Sequence, residues 1–294
     1  MSRVAVLGDA VLDVAVRALG PVAPTSDTPA QVRLGRGGSA ATIATHLAAR
    51  GHDVTFVGAI GRDLAGRMVR EELEAAGVRA ALVEVDEPTG VVVALIEPDG
   101  QRAMRTSRGA LSALRASHVA AALAEPLEHL HVSGYTLVDP ATRPVGVEAL
   151  RAAARRGVAT SVDVCSVAPW REVGAAAFLA ATPDAGLLFA NEEEAELVGG
   201  GALEGALATL AARYREVVVT RGAAGAIARR GPEEARAPAR AVHALDTTGA
   251  GDAATAGYLD ARLRGDPLAA CLAAAMAAAA ATVGVLGPGA QSRR

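Results

Sequence analysis

Short β-branched runs alternate with longer amphipathic stretches along most of the chain, and this alternation restricts the possible folds severely. Val4–Leu7, Thr55–Val57, Leu130–Val132, Thr160–Val162, Leu187–Phe189 and Val217–Thr220 read as buried strands. Helical patterns lie between several of them. Ser39–Ala49 sets Ile43 and Leu47 on one face and stops at Gly51; Ala65–Ala76 does the same with Met68, Val69 and Leu73 and stops at Gly77. Strands and helices in this order build a mostly parallel sheet covered on both faces, so the expected class is α/β. Two segments break the rhythm. Residues 14–36 are rich in Pro, Thr and Val without a helical period, and residues 88–108 carry Val91–Ile96, a Pro98-Asp99-Gly100 turn and Arg102–Thr106. The second is a hairpin signal, and both segments are expected in a small antiparallel sheet standing off the main one.

Composition removes several function classes. The chain is 51% hydrophobic and 21% charged with a formal net charge of −3, which suits a sizeable core and gives no basic groove for nucleic acid. All 29 basic residues are arginine. A Walker-type phosphate loop and a pyridoxal Schiff base both need lysine, so neither is present. Cys165 and Cys271 match no metal-ligand spacing, and the N-terminal Met1-Ser2-Arg3 has no signal-peptide layout. A reduced, cytoplasmic setting is expected. The uncharged stretch Leu268 to Gly289 is long enough to cross a bilayer, but alanine dominates it, so it reads as a buried helix and no membrane association is expected.

The chemistry is concentrated in Asp246-Thr247-Thr248-Gly249-Ala250-Gly251-Asp252, which follows a strand-like segment and opens a helix running through Ala261. Small residues at 249–251 let successive backbone N–H groups turn toward one point, and the helix N-terminus adds positive potential there. Such a hole suits the charge on a phosphoryl group in transfer. Asp252 beside it can take a proton from an attacking hydroxyl. A helix N-terminus is also expected to lower that carboxylate's pKa and weaken it as a base.

This segment resembles the C-terminal signature of the ribokinase-like (phosphofructokinase B) carbohydrate kinases, and further matches follow in order along nearly the whole chain. Gly8-Asp9 with Asp13 resembles the family's first strand and sugar-binding acid, and Gly37-Gly38-Ser39-Ala40-Ala41-Thr42 its N-terminal double-glycine motif. Gly58, Gly61, Asp63 and Gly66 resemble the following loop; Thr89-Gly90 with Asp99-Gly100-Gln101-Arg102 resembles the lid hairpin. Asn191 and Glu194 match Asn-x-x-Glu, and Thr220-Arg221-Gly222 with Gly225 matches the nucleotide loop. The resemblance implies a three-layer ribokinase-like sandwich with a mostly parallel central sheet and a small β-sheet lid. Residues 1–13, 37–87 and 109–294 would form the core, and 14–36 and 88–108 the lid. It implies a kinase that uses ATP and Mg2+, with K+ in some members. Asp252 would be the base and Gly249, Ala250 and Gly251 the anion hole. Asp13, Gly37, Gly38, Thr42 and Arg102 would hold the acceptor; Asn191, Thr220, Gly222, Gly225 and Thr247 the nucleotide. Glu194 would reach Mg2+ through water, and Asp246 and Thr248, with carbonyls near Gly284 and Gly289, a monovalent cation. A homodimer joined through the lids is implied as well.

Two departures stand out: Thr42 where the family often has Asn, and Asp163-Val164-Cys165 where many members have Asp-Pro-Asn. Neither lid segment contains Phe, Tyr or Trp, the platform that a nucleoside base stacks on, so a neutral pentose or hexose is the expected acceptor. Arg33, Arg36, Arg102, Arg105 and Arg108 keep a sugar acid or sugar phosphate open if two of them face the cleft. The six histidines show no ligand spacing. Gly35-Arg36-Gly37-Gly38-Ser39-Ala40 also fits the dinucleotide fingerprint G-x-G-x-x-A, but its preceding strand, Gln31–Leu34, is polar where that fold needs a buried one. A non-catalytic sugar or nucleotide sensor on the same fold, and a nucleoside kinase, remain as alternatives.

Overall fold

The computed structural model describes residues 1–23, 25–96, 102–240, 242 and 248–283. Its strands, in chain order, are β1 (Arg3–Leu7), β2 (Val11–Ala18), β3 (Ala30–Gly37), β4 (Asp53–Gly61), β5 (Arg79–Val85), β6 (Gly90–Ile96) and β7 (Arg102–Ser107). They continue as β8 (His129–Val132), β9 (Ala159–Asp163), β10 (Leu187–Asn191), β11 (Glu216–Thr220), β12 (Ala226–Arg230) and β13 (Glu233–Ala237). Among the described residues they form a nine-stranded sheet, β13-β12-β11-β10-β9-β8-β1-β4-β5, and a four-stranded sheet, β3-β2-β6-β7. From β11 to β5 every pairing in the large sheet is parallel; β12 and β13 join it antiparallel. The six strands expected from sequence all lie in this sheet. β5, β12 and β13 are additions that the sequence reading missed, and charged residues interrupt all three.

Parallel strands buried on both faces need two helix layers, and the core is accordingly double. On one face, Val119, Leu150, Phe178, Val198 and Leu210 from surrounding helices meet Leu7, Val132 and Val219 of the sheet. On the other, the helices Ser39–Ala48, Leu64–Ala75, Ala250–Leu263 and Leu268–Val283 bring Ile43, Val69, Tyr258 and Leu272 against Val4, Phe56 and Phe189. The three-layer expectation is met. The alanine-rich segment is a helix over Leu268–Val283, packed on Ala250–Leu263; residues 284–289 of the expected stretch lie outside the described residues. No helix among the described residues is long and apolar enough to cross a membrane.

The first segment of the small sheet begins earlier and ends later than 14–36, the second stays within 88–108, and β2 lies parallel to β6, so the sheet is mixed where an antiparallel one is expected from the sequence. β2 starts at Val11 and pairs along its whole length with β3, placing Asp13 opposite Gly35 and Val11 opposite Gly37. Asp13 and Gly37 are therefore part of this sheet. The hairpin expected at 91–106 is the antiparallel pair β6–β7, with Val92 opposite Thr106; its turn, 97–101, lies outside the described residues. One knot fastens this sheet to the loop after β4. Asp63 caps the helix Leu64–Ala75 by accepting from Gly66 N at 2.8 Å, and it also accepts from Thr89 N and Thr89 Oγ1 at 2.9 and 2.7 Å. Thr89 Oγ1 in turn accepts from Gly61 N.

Gly257 shows how tightly the helix carrying Asp252 is held. A Cβ there would sit 2.7 Å from Ala278 Cβ and 2.8 Å from Ala274 O on the neighbouring helix. Helix propensity alone favours Ala over Gly by about 1 kcal/mol. The overlap falls on packed backbone, and overpacking of that kind costs roughly 1–3 kcal/mol. Gly257→Ala should therefore lower stability, read as a drop in the denaturation midpoint; an unchanged or raised midpoint would show that the helices part easily.

Candidate active site

Ligands of parallel α/β sheets bind outside the carboxyl ends of the strands, and here those ends are lined with polar residues. Asp9 follows β1, Ser133 follows β8, Asp163 ends β9, Asn191 ends β10 and Thr220 ends β11. Above them lies a cleft of about 500 Å3. The small sheet supplies one wall through Asp13, Val92, Met104 and Thr106, and the start of the helix Ala250–Leu263 supplies another.

Gly249 has φ 74°, a left-handed conformation open to glycine, and it turns the chain into that helix. The first N–H groups of a helix have no carbonyl four residues back, so the amides of 250–252 are available to a ligand. Asp252, in the first turn, accepts from Ser39 Oγ at 2.6 Å. Its pKa is raised well above the ordinary carboxylate value, chiefly by burial and further by the charges of Asp163 and Asp9, against the Ser39 hydrogen bond and Arg36. The sequence expectation of a weakened base is thus overturned: desolvation and like charges outweigh the helix terminus.

Ser39 is the link that the sequence reading passed over. Its hydroxyl lies 3.1 Å from Asp163 Oδ2 as well, so one hydroxyl bridges two carboxylates. Its amide donates to Asp9 Oδ2 at 2.9 Å. Asp9 also accepts from Ser133 Oγ at 2.9 Å and Ala40 N at 3.3 Å, which ties β1 to the helix Ser39–Ala48. Asp163 further accepts from Gly134 N and Cys165 Sγ, both at 2.9 Å. Cys165, at the departure from the family pattern, has φ 68° and a thiol pushed up in pKa first by burial. Each acid ends or follows a parallel strand, the one sequence signal that could have singled out Asp9 and Asp163.

The acceptor side is built around two glycines. A Cβ on Gly37 would lie 2.1 Å from Asp13 Oδ1, and Gly38, at φ 95°, has the Asp9 carbonyl 2.5 Å from where its Cβ would be. Thr42 lines the cleft, and its hydroxyl accepts from Arg36 Nη1 at 3.3 Å. Arg36 itself is buried and turned inward, donating also to Thr45 Oγ1 at 3.0 Å, so it is not a cleft-facing lid arginine. Arg108 does line the cleft, with its guanidinium 4.5 Å from the centre of the Tyr135 ring. Tyr135 enters from outside the lid, so the absence of aromatics in residues 14–36 and 88–108 did not exclude an aromatic wall. Arg102 lies at the start of β7.

On the other side, Asn191 and Glu194 form a reciprocal cap: Glu194 N donates to Asn191 Oδ1 at 2.9 Å and Asn191 N to Glu194 Oε2 at 2.8 Å. Burial pushes the Glu194 pKa up to about 7. Thr220, Thr248, Gly249 and Gly251 line the cleft. Gly222 and Gly225 bound the short turn after β11, closed by Arg221 N donating to Gly225 O at 2.7 Å. Asp246, Thr247, Gly284 and Gly289 lie outside the described residues.

Comparison with known proteins places this geometry. The pfkB family carbohydrate kinase model matches residues 1–293. An ATP-dependent ribose-1-phosphate kinase of Halopiger xanaduensis is 31% identical over 244 residues, covering 80% of this chain and 77% of that protein. A probable sugar kinase of Rhizobium etli superposes with a TM-score of 0.89 at 24% identity, over 99% of this chain and 96% of that one. A putative ribokinase II of E. coli gives 0.87 at 22% identity, over 98% and 94%. The fold is ribokinase-like, and the chain belongs to the pfkB family of carbohydrate kinases, which makes it an ATP-dependent sugar kinase.

Proposed function

We propose that this kinase phosphorylates a hydroxyl of a small sugar, a ribose-like pentose or a hexose, by in-line transfer with Asp252 as the base. The supporting observation is the position of Asp252: beside the Gly249–Gly251 helix start, facing the cleft, with its proton affinity raised by burial. The acceptor hydroxyl gives its proton to Asp252 while the amides of Gly249, Ala250, Gly251 and Asp252 stabilise the transferring group. Asp13 takes acceptor hydroxyls, and Gly37, Gly38, Thr42 and Arg102 complete that side. Asn191, Thr220, Gly222, Gly225 and Thr247 hold the nucleotide.

The residues present fit Mg2+ carried in with ATP. Among the described residues no group of three His, Cys, Asp or Glu could cage a metal directly, while Glu194 presents a buried carboxyl to the cleft. That suits an ion that keeps several of its waters. Mg2+ would neutralise phosphate charge, and Asn191 and Glu194 would order its water shell. The same reading assigns K+ to Asp246 and Thr248, of which Thr248 alone is described.

Arg108 over Tyr135 favours a small acceptor, because the guanidinium occupies the ring face that a nucleoside base would need. It also gives an acidic sugar a cation to meet. The outer face of the small sheet carries Val14, Val16, Val32, Leu34, Val93 and Leu95, with Val32 and Leu34 more than half exposed. An apolar face of this kind supports pairing of the lids in a homodimer.

Turnover of ATP against pentoses, hexoses, sugar acids, sugar phosphates and nucleosides tests the reading. Acceptor-dependent ADP release should appear with a sugar and fall about 10²–10⁴-fold in Asp252→Asn. Full activity in that variant, or preference for nucleosides, would overturn it. Gly37→Ala, which drives a methyl into the Asp13 carboxylate, should lower kcat/KM for the sugar by about tenfold or more while leaving KM for ATP in place. Equal loss toward both substrates would place Gly37 outside the acceptor site.

A further inference from the structure

Behind Asp252 a line of polar side chains runs down the sheet into the core. β8 and β9 are parallel neighbours with His131 opposite Ser161, so His129, His131, Ser161 and Asp163 share one face. Ser161 Oγ lies 2.7 Å from His129 Nε2 and 2.8 Å from His131 Nδ1. A hydroxyl has one proton, so it donates to one ring and accepts from the other, which fixes both imidazoles. The remaining nitrogen of His131, Nε2, faces Asp163 Oδ2 at 3.6 Å and has no hydrogen-bond partner among the described residues. From Asp163 the line continues through Ser39 Oγ to Asp252. His131 is fully buried and touches no part of the cleft. A polar side chain so placed is costly unless it is paired.

We propose that His131, carrying a proton, pairs with the Asp163 carboxylate behind the base, and that this buried pair, acting through Ser39, sets the pH at which Asp252 can take the acceptor's proton. His131 is then a positioning residue, and the proposal rests on the reading of Asp252 as base. Asp163 behaves as a carboxylate with such a partner: burial alone would raise its pKa, but the proximity of His131, with the Cys165 thiol and the Gly134 amide, holds it below the ordinary value. The titratable and charged groups facing the pair, among the described residues, are few. His129 stands on the same strand, with Arg262 of the helix Ala250–Leu263 acting on it. Asp252 stands on that helix and Asp9 after β1. Glu194 feels the charge of Asp163 from beyond β10. Val4 and Val6 of β1 and Phe189 of β10 are the aligned neighbours and carry no charge.

Two variants give opposite signs. His131→Gln keeps an amide donor for Asp163 but cannot carry the proton. Gly134 N and Cys165 Sγ still hold Asp163 ionised, so its charge acts on Asp252 uncompensated. The acid limb of the kcat/KM profile should then move up by about half to one pH unit. Asp163→Asn removes the larger of the two like charges that raise Asp252, and the same limb should move down. A role in orientation alone would leave the His131→Gln limb where it is in the unaltered enzyme. A limb unmoved in His131→Gln, or moved the same way in both variants, would overturn the proposal. Should His131→Gln fail to fold, a limb that does not fall in Asp163→Asn has the same force. Asp252→Asn, measured alongside, separates the two claims: its collapse with an unmoved limb in the other variants leaves the base in place and removes only the His131 pair.

Discussion

Asp9, Asp163 and Asp252 bring three carboxylates to the first turn of the helix that begins at Ser39, and much of the molecule serves to hold that charge. Like charges at this range raise one another's proton affinity. Each acid is given different partners, and they diverge. Asp163 has His131, an amide and a thiol, and stays low. Asp9 binds backbone amides and Ser133, yet burial still raises it. Asp252 has one hydroxyl and the charge of Arg36 to oppose its burial and the neighbouring acids, and rises well above the ordinary value. Separation of pKa values among neighbouring acids is what turns a cluster of carboxylates into one base and its supports.

The fold explains why these groups meet. Each parallel strand delivers the residue at its carboxyl end to the same edge, so positions more than 200 apart in sequence, such as Ser39 and Asp252, are in contact. The helix Ala250–Leu263 is fixed from behind by the close crossing at Gly257. It is fixed from below by Glu216, which accepts from Arg230 Nη2 at 2.9 Å, Arg262 Nε at 2.8 Å and the Tyr258 hydroxyl. That carboxylate stays ionised although buried, because three donors outweigh its desolvation.

Alternating hydrophobic runs made the large sheet, its helices and the small sheet legible in the sequence, and the Asp246–Asp252 heptad marked the helix start. What escaped had physical reasons. β12 and β13 carry Arg229, Arg230, Glu233, Glu234 and Arg236, an edge pattern without the continuous apolar run of an inner strand. Ser39 looked like a small residue in a glycine motif, since a hydroxyl reveals its partners only when strands far apart are brought together. The environment of Asp252 could not be read either: the sequence shows the helix terminus that lowers a carboxylate's pKa, while burial and the two other acids that raise it are tertiary. The inward turn of Arg36 was hidden for a related reason. Its strand leaves the small sheet at Gly37, and there the side chain turns under the helix toward Thr42 and Thr45.

The glycine pair at 37–38 has a mechanical consequence. β3 ends at Gly37 and the helix Ser39–Ala48 begins two residues later, so Gly38 is the whole of the joint between the small sheet and the element that carries Ser39. A longer connection would absorb tilting of the sheet as slack. Here a tilt must either be taken up in the two torsions of Gly38 or swing the first peptide of the helix, and with it the hydroxyl hydrogen-bonded to Asp252. Covering the cleft and aiming the hydroxyl are therefore geared to each other through a single residue.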